Sequence, residues 1–140
     1  MRVVRVVLVV LVGALGLVAL ASGISGMVLG PSDVVDPSFA LDSNFRFLSA
    51  FLTGAGLVLL WSLTRLNRAR VELRFVCALV FAGGCARLLS LTTASQPSAA
   101  YVAYIGAELV LPPVIVALQA RLPTVSEASS SEGIGSAARP

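Results

Sequence analysis

Glu108 is the residue whose position in this sequence points most directly to chemistry. It lies near the middle of an otherwise uncharged stretch, Ser98 to Gln119, whose length and composition are typical of a membrane-spanning helix. The preceding hydrophobic stretch carries Arg87 at a similar predicted depth. Inserting an ionisable side chain at that depth costs roughly 2.5–3.5 kcal/mol of free energy on insertion scales. Such a side chain is therefore expected to be paired with an opposite charge or to take part in function. We therefore expect function or specificity to reside where Glu108 and Arg87 lie.

Two further side chains are candidates for the same site. Tyr104 precedes Glu108 by one turn, on the same face of the predicted helix. Arg46 lies about one turn inside the second hydrophobic stretch, on the same side of the membrane. An alternative for Arg46 is a pair with Asp42, four residues earlier, with its head group at the membrane interface. The predicted binding or structural cluster consists of Arg46, Arg87, Glu108 and Tyr104, and no catalytic residue is assigned.

Two prolines follow Glu108 in the same stretch. Pro112 has no amide hydrogen and crowds the carbonyl of Glu108, and Pro113 does the same to Leu109. We therefore expect a kink in the fourth helix and two carbonyls without helical donors. In lipid those carbonyls need partners. A guanidinium, with five donors, suits both a carboxylate and a freed carbonyl.

The composition excludes several classes of protein. Hydrophobic residues make up 57% and charged residues 12%, which is not the composition of a soluble domain. All ten basic residues are arginines, and most lie beside the ends of the hydrophobic stretches, so we expect them to set membrane orientation and not to bind nucleic acid. Without histidine, and with one intramembrane carboxylate, neither a metal site nor a cofactor is expected. Cys77 and Cys85 are interpreted as apolar packing residues.

The spacing of the hydrophobic stretches predicts an all-α integral membrane protein, an up-down-up-down four-helix bundle with a kinked fourth helix. A single transmembrane domain would occupy residues 1–121. Asp42 is expected to cap the second helix. Residues 122–140, rich in Ser, Ala, Gly and Glu, are expected to form a disordered cytoplasmic tail. The four spans are predicted at about 6–29, 43–64, 73–92 and 98–119.

The arginines are distributed unevenly between the two sides of the predicted bundle. Two precede the first span, four lie around the connection between the second and third spans, and Arg121 follows the fourth. The other two connections carry no arginine, and the first of them contains Asp33 and Asp36. This bias predicts a multi-pass protein of the plasma (inner) membrane with both termini in the cytoplasm.

A cleaved signal peptide is the competing interpretation of the first span. Ala19-Leu20-Ala21 has the small residues of a cleavage site. Hydrophobicity nevertheless continues past that site to Leu29. In addition, Ser22, Gly26 and Gly30 form a small-residue stripe suited to helix–helix contact. These observations favour a retained first span.

Three short motifs carry a resemblance to a known family. They are Asn44-Phe45-Arg46-Phe47, Gly84-Cys85-Ala86-Arg87-Leu88-Leu89-Ser90, and Glu108 followed by Leu111-Pro112-Pro113. Over Val6 to Arg121, their order and spacing resemble an uncharacterised bacterial membrane family, domain of unknown function 4345. The resemblance implies a four-helix inner-membrane protein without an assigned activity, and it marks Arg46, Arg87 and Glu108 as signature residues. The architecture is also similar to small DoxX-type membrane proteins, on fold alone.

Three classes of function are compatible with a chain of this kind, and an enzyme is the least favoured. The sequence has no histidine, no nucleophile with a recognisable base and no phosphate-binding glycine loop. We favour an accessory or structural component of the bacterial cell envelope, with the lipid bilayer as its surroundings and a homo-oligomer or larger membrane complex as its possible assembly. The alternative is binding or transport of a small anionic amphiphile or lipid through the site formed by Arg46, Arg87 and Glu108.

Overall fold

A computed structural model describes residues 2–32, 34–92 and 98–122. Within those ranges the chain forms four α-helices and no strand. Each helix is long and apolar enough to cross a bilayer. The prediction of an all-α protein with four candidate membrane spans is therefore confirmed. The alternating direction of the helices and the kink in the fourth remain predictions, and the expected tail lies outside the described residues beyond position 122.

The first three helices begin three or four residues before the predicted spans, whereas the fourth begins one residue after its predicted start. The additional residues include charged positions that a hydropathy criterion leaves out, such as Arg2 and Arg70. The helices are α1 (Arg2–Leu29), α2 (Phe39–Leu63), α3 (Arg70–Ser90) and α4 (Ala99–Ala120).

Serine side chains cap the second and fourth helices. Ser38 has an extended backbone, and its hydroxyl accepts a hydrogen bond from the amide of Leu41 at 3.3 Å. Ser98 serves α4 in the same way through the amide of Tyr101. The prediction that Asp42 caps α2 was wrong, because the helix already begins at Phe39. Asp42 lies in the first turn, where its negative charge interacts favourably with the positive end of the helix dipole.

The chain divides into two compact units, and each is described by itself. The first, Val9–Thr64, contains most of α1 and all of α2. The second contains the start of α1, up to Leu8, together with α3 and α4.

Small residues determine the contact between α1 and α2 in the first unit. A Cβ atom added to Gly56 would lie 2.6 Å from the backbone nitrogen of Leu20. A Cβ atom added to Gly23 would lie 2.8 Å from the carbonyl oxygen of Ser49, and Gly26 packs against the same serine. The two backbones therefore approach without intervening side chains, as in other small-residue helix contacts in membranes. The sequence stripe anticipated Gly26, but not Gly23 or Gly56.

We expect Gly56→Val to destabilise the protein, because the added side chain would overlap the backbone of α1. The expected loss is about 1–3 kcal/mol in the free energy of unfolding, typical of overpacking. Gly54→Val is the matched control, since a Cβ there meets nothing within 4 Å. Denaturation in mild detergent measures both variants. Equal losses would contradict this account of the contact.

Candidate functional site

The site in the second unit begins with a close approach of α3 to α4 at Gly84. Gly84 is buried, and a Cβ atom added to it would lie 3.0 Å from the Cβ of Glu108 and 3.2 Å from the side chain of Leu109. The preceding Gly83 faces open space instead. Gly84 therefore makes the contact, and it places the stem of Glu108 against the backbone of α3.

Arg87 and Glu108 form the ion pair that the sequence predicted. The Nε of Arg87 lies 3.3 Å from Oε2 of Glu108. Arg87 lies in the last turn of α3, three residues beyond Gly84 and nearer the helix end than the hydropathy pattern suggested. Because side chains on a helix point back toward its N-terminus, the guanidinium returns to the level of Gly84, where Glu108 lies.

The pair is a charge contact without an aligned hydrogen bond. Oε2 of Glu108 is buried and has no hydrogen-bond partner of good geometry in the described part of the chain. The side chain of Glu108 is 24% exposed, whereas that of Arg87 is 46% exposed. The contact recorded between the two side chains is that of Nε of Arg87 with Oε2 of Glu108. Attraction between opposite charges is strong where water is excluded, so the contact still links the helices.

Pro112 and Pro113 lie within α4, which remains helical from Ala99 to Ala120. Pro112 is fully buried. Since proline has no amide hydrogen, the carbonyl of Glu108 lacks its ordinary helical donor. The ion pair therefore lies beside a main-chain carbonyl of α4 that can accept a further hydrogen bond.

Arg46 belongs to a second arrangement, in the unit formed by α1 and α2. Its Nε donates to both carboxylate oxygens of Asp42, at 3.1 and 2.9 Å. Its Nη1 donates to the carbonyl oxygens of Met27 and Val28 at the end of α1. The last carbonyls of a helix have no hydrogen-bond donor within the helix. A cation at that end also interacts favourably with the negative end of the helix dipole. Arg46 therefore links the end of α1 to the start of α2.

Gly30 provides the space for this link. It ends α1 in the left-handed conformation, with φ of 72°, and its amide donates to the carbonyl of Gly26 at 3.0 Å. A Cβ atom added to Gly30 would lie 2.6 Å from Oδ1 of Asp42 and 2.9 Å from Nη2 of Arg46. Glycine is required here both for the backbone conformation and for the room that the ion pair occupies.

The four predicted site residues thus have different surroundings. The structure brings Arg87 and Glu108 together, and the alternative pairing of Arg46 with Asp42 is confirmed. Tyr104 is 55% exposed, and no hydrogen bond of its hydroxyl is found among the described residues. A cluster that unites all four side chains stays a prediction, because Arg46 lies in one compact unit and the other three residues lie in the second.

Two polar residues were not anticipated from the sequence. Nη2 of Arg70 donates to the carbonyl oxygen of Leu122 at 2.6 Å, which links the start of α3 to the end of α4. Gln119 is completely buried, and neither atom of its amide has a hydrogen-bond partner in the described ranges. Arg70 was interpreted only as an orientation signal, and Gln119 as the end of a span. A polar amide in the apolar run of α4 was the available clue for Gln119.

Potential metal ligands do not gather in the part of the chain that the structure describes. No group of three or more Cys, Asp or Glu side chains lies close enough there to hold an ion. Cys77 is buried and Cys85 is exposed, and both carry free thiols. The chemistry of the site therefore rests on its arginines and carboxylates.

Comparison with known proteins identifies the family. The family model described as "Domain of unknown function (DUF4345)" matches residues 1–119. The chain belongs to the DUF4345 family. This confirms the resemblance carried by the motifs around Arg46, Arg87 and Glu108, and the description of the family assigns no activity. No curated protein and no solved structure matches the chain.

We expect Arg87→Leu to destabilise the protein by about 1–3 kcal/mol, because it leaves Glu108 unpaired between two helices. Arg87→Leu combined with Glu108→Leu should recover much of that loss, since two apolar side chains can replace a pair of opposite charges. Denaturation of the wild type, of Arg87→Leu, of Glu108→Leu and of the double variant gives the coupling energy between the two side chains. Additive losses would show that the two side chains do not depend on each other.

Proposed function

We propose that this membrane protein is an accessory or structural component of the bacterial cell envelope and not an enzyme. In this proposal it resides in the inner membrane with both termini in the cytoplasm. The arginine distribution supports that orientation, because arginines flank the spans on one side and are absent from the loops on the other.

The observation that carries the proposal is that charged side chains connect neighbouring helices. Arg46 contacts Asp42 and two carbonyls of α1. Arg87 contacts Glu108 across α3 and α4. Charges engaged in this way stabilise the positions of the helices. A structural role needs only that geometry.

A second candidate is binding or transport of a small anionic amphiphile or lipid through Arg46, Arg87 and Glu108. The exposure of Arg87 favours it. Its side chain is nearly half exposed, so part of its guanidinium remains accessible to an anion. Arg46 is less suited to the task, because a carboxylate and two carbonyls already occupy most of its donors.

The structural proposal predicts a defined assembly. Extraction in mild detergent followed by native mass spectrometry should give a homo-oligomer or a complex with another membrane protein. Chemical cross-linking in intact membranes before extraction controls for dissociation by detergent. A strictly monomeric species under both conditions would contradict the proposal.

The second candidate predicts that Glu108 affects the binding of a lipid-like anion such as dodecyl phosphate. Binding and the accompanying proton release should differ between the wild type and Glu108→Gln, because the variant frees Arg87 from its carboxylate partner. Glu72→Gln is the control, since Glu72 is an exposed carboxylate in the first turn of α3. Identical titrations for wild type and Glu108→Gln would remove this candidate.

A further inference from the structure

An open apolar groove of about 360 Å³ lies between α3 and α4 in the second unit. On α3 it is lined by Arg74, Cys77, Ala78 and Phe81, which lie on one face of the helix because they are spaced by three and four residues. On α4 it is lined by Pro112, Pro113 and Val116. Ala78 and the two prolines have short side chains, which suits a depression between the two helices.

Arg74 is the single charged residue of the lining, and it lies at one end of the groove. It is exposed and has no ion-pair or hydrogen-bond partner for its guanidinium in the described part of the chain. Glu72 lies two residues earlier, a spacing at which helical side chains do not face each other. By contrast, Arg70 donates a hydrogen bond to the carbonyl of Leu122, and Arg87 forms an ion pair with Glu108.

The dimensions and chemistry of the groove match one class of ligand. Arg74 and Phe81 are separated by seven residues, or about 10 Å along α3, which is about one third of the hydrocarbon thickness of a bilayer. An apolar groove of that length, with a guanidinium at its end, complements part of an acyl chain and the anionic phosphate of the same lipid. Arginine binds phosphate oxygens through two parallel N–H donors.

We propose that this groove binds an acyl chain of an anionic phospholipid, with Arg74 on the phosphodiester of its head group. The lipid would come from the leaflet that meets the arginine-rich connection between α2 and α3. This site is separate from the Arg87–Glu108 pair, because Arg74 and Arg87 are thirteen residues apart, or about 20 Å along α3. The proposal does not depend on the structural or amphiphile-binding role given above.

The test is retention of phosphatidylglycerol compared with phosphatidylcholine by the purified, delipidated full chain, counted by native mass spectrometry. We expect the wild type to prefer phosphatidylglycerol by about fivefold, the effect of one well-placed arginine near an anionic lipid. Arg74→Gln should abolish the preference. Arg68→Gln is the matched control, since it removes an exposed arginine from the connection that precedes α3, outside the lining of the groove.

A second pair of variants tests the groove itself. Ala78→Phe fills the depression and should reduce retention of both lipids, whereas Ala82→Phe, one turn further along α3 and outside the lining, should not. A photoactivatable phosphatidylglycerol should cross-link to peptides that contain Cys77–Phe81 or Pro112–Val116. Equal effects of Arg74→Gln and Arg68→Gln, or cross-links confined to other segments, would overturn the proposal. The two arginine variants decide the matter even if Ala78→Phe does not fold.

Discussion

A helix that crosses lipid must satisfy its polar groups within the protein, because hydrocarbon offers no hydrogen-bond partner. The described structure follows from that constraint at two places. At the end of α1, Arg46 supplies donors to main-chain carbonyls and is itself held by Asp42. Between α3 and α4, Arg87 supplies the positive charge that Glu108 requires. In both cases a glycine provides the room, Gly30 in the first and Gly84 in the second.

The arginines differ in how many protein groups contact their guanidinium. An arginine with many such contacts is suited to a structural role, and one with few is suited to binding an anion. Arg46 donates to a carboxylate and to two carbonyls. Arg87 contacts Glu108 through Nε and remains nearly half exposed. Arg74 has no protein partner among the described residues and borders an apolar groove. An anion therefore has the least competition at Arg74, more at Arg87 and most at Arg46, and the proposed roles follow that order.

Composition and hydropathy were sufficient to predict four helices, since about twenty apolar residues are needed for each crossing. The partnership of Arg87 with Glu108 was also predictable, because a charge at that depth requires compensation. Capping was predicted less well, since Ser38 and Asp42 can both cap and the choice depends on where the chain turns helical. The contact roles of Gly56 and Gly23 were not predictable, because they depend on how each helix is rotated toward its neighbour.

The central claim is that Arg87 and Glu108 are in contact within the bilayer. Solid-state NMR on the protein in lipid, with labelled arginine nitrogens and glutamate carboxyl carbons, measures that contact directly. An Nε–Oε2 distance of 3.3 Å places the carboxyl carbon of Glu108 under about 5 Å from Nε of Arg87, which gives a clear dipolar coupling. This coupling is expected in the wild type and should be lost in Arg87→Gln. A wild-type spectrum without it, or a coupling that survives in Arg87→Gln, would show that Arg87 is not the partner of Glu108.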